Sequence, residues 1–241
     1  MAELLIIIQA RMTSTRLPGK ILMPIGDKPV LQIMIERLGN LKAHIVIATT
    51  NDGTEKPIIE LCQKLDVKYF RGDTDNVLER YYLAAKQFGA HQDTAIMRLT
   101  SDCPLIDYGL VKQCITTYQE NNYDMVGLGP HSGFPRGLDT CIFSFNLLQV
   151  THKKAILPSD REHVTCGMAK FNNINSFVIS AYEDLTQFRL TLDEPDDYTA
   201  ICAVYQLFNH RVDFDYRALN QALKAHPEIA EINQHVEQKK V

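Results

Sequence analysis

Three runs in this chain are apolar without alternation: "LLIIIQ" (Leu4–Gln9), "HIVIAT" (His44–Thr49) and "AIMRLT" (Ala95–Thr100). A strand with one face in water alternates apolar and polar residues. Unbroken apolar strands need cover on both faces, which is the situation of parallel sheets whose connecting helices lie above and below. Between and beyond these runs the period changes to that of helices. "VLQIMIERL" (Val30–Leu38), Pro57–Leu65 and Tyr108–Asn121 read as helices. In "NVLERYYLAAKQFG" (Asn76–Gly89), Val77, Tyr81, Ala84, Ala85 and Phe88 share one face. "VKYF" (Val67–Phe70) and "DMVGL" (Asp124–Leu128) add two shorter strands. The expectation is an α/β fold with a mainly parallel sheet flanked by helices.

After Gly129 the rhythm breaks. "GPHSGFPRG" (Gly129–Gly137) is Gly- and Pro-rich, hence a long loop. "LDTCIFSF", "INSFVIS" and "FRLTL" then read as strands, with helices near Asn146–Lys154 and Asp196–Asn209 and a polar helical tail broken at Pro227. No linker or repeat divides residues 1–241, so the sequence reads as a single domain with an insertion-like antiparallel part at about residues 130–190. The 45% hydrophobic content suffices for a full core without staples.

Charge and cysteine usage exclude several functions. A net charge of −4, with no basic stripe beyond the first loop, argues against nucleic-acid binding. No apolar stretch approaches a membrane span, and no basic n-region marks a signal peptide. The six cysteines are scattered, the nearest two eleven positions apart, which fits no CxxC metal or redox pattern and suits a reducing cytoplasm.

Ligands of open parallel sheets sit beyond the carboxyl ends of the strands. Three polar clusters fall there: Ala10–Lys20, Ser101–Pro104, and Asp193 after "FRLTL". The first, within "QARMTSTRLPGK", holds Arg11, Arg16 and Lys20 with no acidic residue between Glu3 and Asp27. Hydroxyls, amides and guanidinium groups in such a loop suit a polyphosphate. It is neither a GxxxxGK[ST] loop nor GxGxxG, and a solvated basic loop is the competing reading. Asp102 follows a buried strand, while Asp107 is the better helix cap. Asp102 and Asp193 are therefore the pair expected to hold Mg²⁺. The Asp73-Thr74-Asp75 triplet looks like a metal–diphosphate DxD, but it precedes a helix where Asp serves as cap and first-turn charge. Arg71 and Asp75 are placed beside the nucleotide or sugar. Arg136, Asp139, Arg161, Glu162 and His163 lie in glycine-hinged or helix-like stretches that can meet a substrate carboxylate. Surface charge is the plainer account of each alone.

The motifs "IIIQARMTSTRLPGK", "VIATT", "FRGDTDNVLERYY", "RLTSDCPLID", "GLDT", "REHVT" and "LTLDEPDDY" occur in the order found in cytidylyltransferases of the spore coat polysaccharide biosynthesis type. Those are similar to acylneuraminate and 3-deoxy-manno-octulosonate cytidylyltransferases. The resemblance runs from about Leu4 to Tyr198. It implies a nucleotide-diphospho-sugar transferase fold, activation of an acidic sugar with CTP, Mg²⁺ on Asp102 and Asp193, and a homodimer. It places Ala10, Arg11, Met12, Arg16, Lys20, Arg71 and Thr100 around the nucleotide, and Arg136, Asp139, Arg161 and His163 around the sugar. Lys20, Arg11 and Asp102 carry the chemistry. Thr100 stands where the octulosonate enzymes commonly have Gln, which separates this chain from them near the substrate. The alternatives are a glycosyltransferase acting through Asp73 and Asp75, and a silent nucleotide-binding protein.

Overall fold

A computed structural model of the chain describes residues 3–129 and 132–238. Its strands are β1 (Leu4–Gln9), β2 (Pro24–Ile25), β3 (Lys28–Pro29), β4 (Ile45–Thr50), β5 (Lys68–Gly72), β6 (Ala95–Thr100), β7 (Met125–Leu128), β8 (Thr140–Ser144) and β9 (Ser176–Val178). Its helices are α1 (Val30–Arg37), α2 (Lys56–Lys64), α3 (Val77–Gln87), α4 (Tyr108–Glu120), α5 (Phe145–Lys154), α6 (Pro158–Glu162), α7 (Cys166–Phe171), α8 (Pro195–Leu207), α9 (Tyr216–Ala225) and α10 (Glu228–Asn233). One sheet runs β5-β4-β1-β6-β8-β7-β9, and β2–β3 form a separate antiparallel pair. The strands β5, β4, β1 and β6 are parallel.

The unbroken apolar runs have the predicted cause. Ile6 and Ile8 of β1 enter one core; Leu5 and Ile7, alternating with them, enter a second core across the sheet. β4 divides likewise, Ile45 and Ile47 against Val46 and Ala48. Burying each such side chain contributes about 1.5–3 kcal/mol. Fully buried Tyr81 fastens α3 to the sheet, its hydroxyl donating to the carbonyls of Ile7 (3.2 Å) and Leu99 (2.7 Å).

Residues 130–190 differ in detail from the expectation. The antiparallel component there is β8, which lies inside the main sheet and runs opposite to both β6 and β7. β9 is parallel to β7. Pro130 and His131 of the Gly129–Gly137 loop lie outside the described residues. "FRLTL" is not a strand. It makes one isolated bridge, Arg136 to Arg189, after which the Leu192 amide turns to Asp102 O at 2.8 Å. The segment is extended and apolar, but its amides serve two separate partners and no ladder forms. Gly137 permits the approach: its φ is +106°, and a Cβ there would lie 2.4 Å from the carbonyl carbon of Leu190.

Candidate active site

A cavity of about 580 Å³ opens at the carboxyl ends of β1 and β6. One wall is the loop after β1. Its ends are closed by main-chain bonds, Gly19 N to Met12 O at 2.9 Å and Ser14 N to Met12 O at 3.0 Å. Gly19 has φ +69°, a left-handed turn that favours glycine, and the next residue, Lys20, begins a short 3₁₀ helix. Lys20 is thereby turned under the sheet edge, with 8% of its surface exposed.

Its ammonium group is the meeting point of the site. Nζ donates to Asp102 Oδ2 (3.0 Å), Asp193 Oδ1 (2.9 Å) and Leu192 O (2.5 Å). Burial opposes the charge on Lys20, but the two carboxylates outweigh it and hold the pKa above its ordinary value. Burial likewise works against ionised Asp102, yet Lys20 and the Thr100 hydroxyl keep its pKa below the usual carboxylate range. Asp107, as expected, caps α4 by accepting from Leu110 N at 2.8 Å. Asp102 has no capping role.

Asp193 is held from behind. Arg16 reaches its Oδ1 at 3.2 Å, and Arg189 donates to its Oδ2 at 2.8 Å. Arg189 also pairs with fully buried Asp197 at 2.9 Å. That carboxylate accepts the amides of Asp193 (2.9 Å) and Glu194 (3.0 Å) at the start of α8. Asn233 of α10 donates to Asp197 (2.8 Å) and to Arg189 O (2.9 Å). The tail thus supports the site, a function that its polar sequence did not disclose.

The donor chemistry suits a hard divalent cation. Two carboxylates converge on one position, where a positive nitrogen now sits. Among the described residues no group of three or more His, Cys, Asp or Glu side chains has metal-binding geometry. A cation at the pair would complete its shell with substrate oxygens and water, the usual habit of Mg²⁺.

Ala10, Arg11, Arg16, Thr100, Asp75, Glu162 and His163 also line the cavity. Met12 contributes its carbonyl to the loop closure, and its side chain packs on the core. Arg71 points elsewhere and pairs with buried Glu55. Arg136 and Asp139 border a separate cavity of about 90 Å³, and Asp139 accepts from Gly137 N at 2.9 Å. Arg161 borders neither. The expected Asp cap of α3 is replaced by Asn76, whose side chain accepts from Glu79 N. Asp73 is occupied with the preceding turn, accepting the amides of Asp75 (2.8 Å) and Asn76 (2.7 Å).

Residues 5–220 match the family model described as cytidylyltransferase. The chain belongs to the cytidylyltransferase family. Its relatives include the spore coat polysaccharide biosynthesis protein SpsF of Bacillus subtilis, 31% identical over 95% of this chain and 98% of that one. The 3-deoxy-manno-octulosonate cytidylyltransferase of Photobacterium profundum is 31% identical, but over only 52% of this chain and 50% of its own length. The structure of a cytidylyltransferase from Leptospira borgpetersenii superposes with a TM-score of 0.89 at 30% identity, each chain fully covered. Cytidylyltransferases are nucleotidyltransferases that use CTP.

Two charged lining residues of this cytidylyltransferase are not singled out by the motifs of its sequence. Arg80 sits on the face of α3 turned to the protein and is 1% exposed. Arg98 is the one charged residue inside β6, a charge within an apolar strand that was a usable signal.

Proposed function

We propose that this cytidylyltransferase activates an acidic sugar of the 2-keto-3-deoxy or sialic-like type, forming a CMP-sugar and pyrophosphate for surface polysaccharide or glycan synthesis. The observation that carries the reading is the convergence of Asp102 and Asp193 on Lys20 beneath the loop that bears Arg11 and Arg16. The kinship to 3-deoxy-manno-octulosonate cytidylyltransferases over half the chain supports an acidic acceptor. In the reaction a hydroxyl on the anomeric carbon attacks the α-phosphorus of CTP, and pyrophosphate departs in line. Lys20, Arg11 and Arg16 stabilise charge growing on the phosphate oxygens, and positioning supplies most of the remainder. Asp102 and Asp193 would hold Mg²⁺, which when bound polarises phosphate oxygens and offsets their charge. The charged wall orients the triphosphate, and Thr100, whose hydroxyl donates to Asp102, borders the nucleotide.

A glycosyltransferase acting through the DxD triplet is disfavoured because Asp73 is already committed to two amides. Six free cysteines support a cytoplasmic, reducing location, and no helix of the described residues is long and apolar enough to cross a membrane. A homodimer is proposed from the family resemblance alone. The deciding experiment follows pyrophosphate release with Mg²⁺ across four nucleoside triphosphates and a panel of acidic sugars. Release that requires CTP together with one acid sustains the proposal. Release with CTP and only neutral sugars, or consumption of a nucleotide-sugar without pyrophosphate, refutes it.

A further inference from the structure

The basic residues lining the cavity fall into two electrostatic classes. Arg16 and Lys20 are neutralised by Asp102, Asp193 and Glu194. Arg80 and Arg98 form no ion pair among the described residues, although Asp52 and Asp73 lie near enough to act on Arg80. Arg80 spends Nη1 on the main-chain carbonyls of Asp73 (2.8 Å) and Thr74 (3.4 Å) and leaves Nε buried without an acceptor. Arg98 has a buried, unpartnered Nε as well, and among the described residues its side chain forms neither an ion pair nor a hydrogen bond. A partly buried guanidinium with no counter-charge is costly unless something occupies the space in front of it. That space is the cavity, which both arginines line.

The strand register places Arg98 within the fold. It lies beside Ile7 of β1 and opposite Cys141 of β8, one side-chain step below Thr100 on the same face of the sheet. Arg11 approaches from the loop, close enough to help burial lower the pKa of Arg80. Three cations, Arg11, Arg80 and Arg98, therefore face the one cavity without ion pairs among the described residues, whereas Asp102 and Asp193, which line it too, are engaged by Lys20. Neither the resemblance nor the proposed reaction gives Arg98 a role.

We propose that Arg98, backed by Arg80, anchors an oxyanion subsite in the floor of the cavity, a specificity determinant for the reaction proposed above. A carboxylate of the acceptor or a phosphate of the nucleotide supplies the same chemistry, a pair of oxygens that a guanidinium fork meets bidentately. Only the identity of the anion rests on the proposed function. That a cytosine base occupies the floor is the competing arrangement, and the experiment separates it.

The test compares full-length wild type with Arg98→Gln and Arg98→Lys, measuring binding without turnover. The probes are sodium tripolyphosphate, cytidine, CTP, and 3-deoxy-manno-octulosonate added to the CTP complex. Arg98→Gln should weaken one anionic probe on the order of ten- to a hundredfold, the worth of a charge-assisted hydrogen bond, with part recovered in Arg98→Lys. Loss confined to tripolyphosphate and CTP assigns a phosphate; loss confined to the octulosonate assigns a carboxylate. Cytidine affinity should be unchanged, and the ligand-free melting temperature should not fall, because the variant removes an uncompensated buried charge. The proposal is overturned by unchanged affinity for every anion that wild type binds, by a loss of cytidine affinity, or by a lower melting temperature with binding intact. Because no arm needs catalysis, failure of the proposed reaction leaves this result readable.

Discussion

Replacing Lys20 by Met keeps the aliphatic stem in its slot and deletes the ammonium group. What remains is Asp102 without its cation, and Asp193 still paired with Arg16 and Arg189. Breaking a buried ion pair by removing one partner costs about 3–5 kcal/mol. Here the Asp102 side chain is 29% exposed, and Asp193 keeps two partners, so about 1–3 kcal/mol is the expected loss. For a chain of this size that is a fall of about 3–9 °C in melting temperature.

The deficit should depend on pH in a defined direction. Asp102 has its folded pKa held below 3.8, so its share of stability is present above that value and disappears as pH falls through the folded pKa. Lys20 is raised above 10.5, so its share is present below that value and disappears as pH climbs through the folded pKa. The difference between wild type and variant should therefore be flat from about pH 5 to pH 9 and narrow below about pH 4. Calorimetry of both proteins at pH 7 and pH 3.5, without nucleotide, measures it. Adding Asp102→Asn to Lys20→Met should recover part of the deficit, since the orphaned charge is gone. Turnover should fall ~10²–10³-fold in the single variant. Equal melting temperatures at pH 7, or a deficit that persists undiminished in acid, would refute the electrostatic account of Lys20.

Two further outcomes test other parts of the structure. Gly137→Ala places a Cβ 2.4 Å from backbone at φ +106° and should cost at least about 3 kcal/mol, read as a large shift of the denaturant midpoint; a shift below about 1 kcal/mol would contradict the close approach. Burial pushes the thiols of Cys62, Cys114 and Cys141 up to about 12, so N-ethylmaleimide at pH 8 should modify exposed Cys166 first, and mass spectrometry finding Cys62 modified as fast would contradict it.

The sheet was legible because its physics is local. A run such as Leu4–Ile8 has no polar face to offer water, so two-sided cover follows from the residues alone. "FRLTL" carried the same signal for a different reason. Leu190 and Leu192 are fully buried, but burial does not tell a ladder from an extended segment that bonds two distant partners. Asp102 was legible because it directly follows β6 and Lys20 because it closes the loop after β1, at strand ends where ligands collect; Asp193 was singled out by a strand that does not form, but the extended segment before it ends at the same place. Arg189 and Asn233 were not: Arg189 lay in a supposed strand and Asn233 in a polar tail, and only tertiary pairing through Asp197 gives them work. Arg136 and Asp139, read as substrate contacts from a glycine-rich loop, instead border a different and smaller cavity. Loop composition indicates where a chain bends, not what it bends towards.

The charge balance of the cavity bears on how it must be used. Five basic side chains line it, Arg11, Arg16, Lys20, Arg80 and Arg98, against four acidic ones, Asp75, Asp102, Glu162 and Asp193. The lining is close to neutral, and Lys20, one of its two buried cations, is already satisfied by carboxylates. A triphosphate entering alone would make a low-dielectric site strongly anionic and would compete with Asp102 and Asp193 for Lys20 and Arg16. On the proposed reading, Asp102 and Asp193 would be drawn to a divalent cation entering with it, whose charge would offset that of the phosphates, and Lys20 and Arg16 would then be free to turn their donors to the nucleotide. The aspartates thus have a role that needs no metal: they hold Lys20 and Arg16 of the loop in place and partly neutralised.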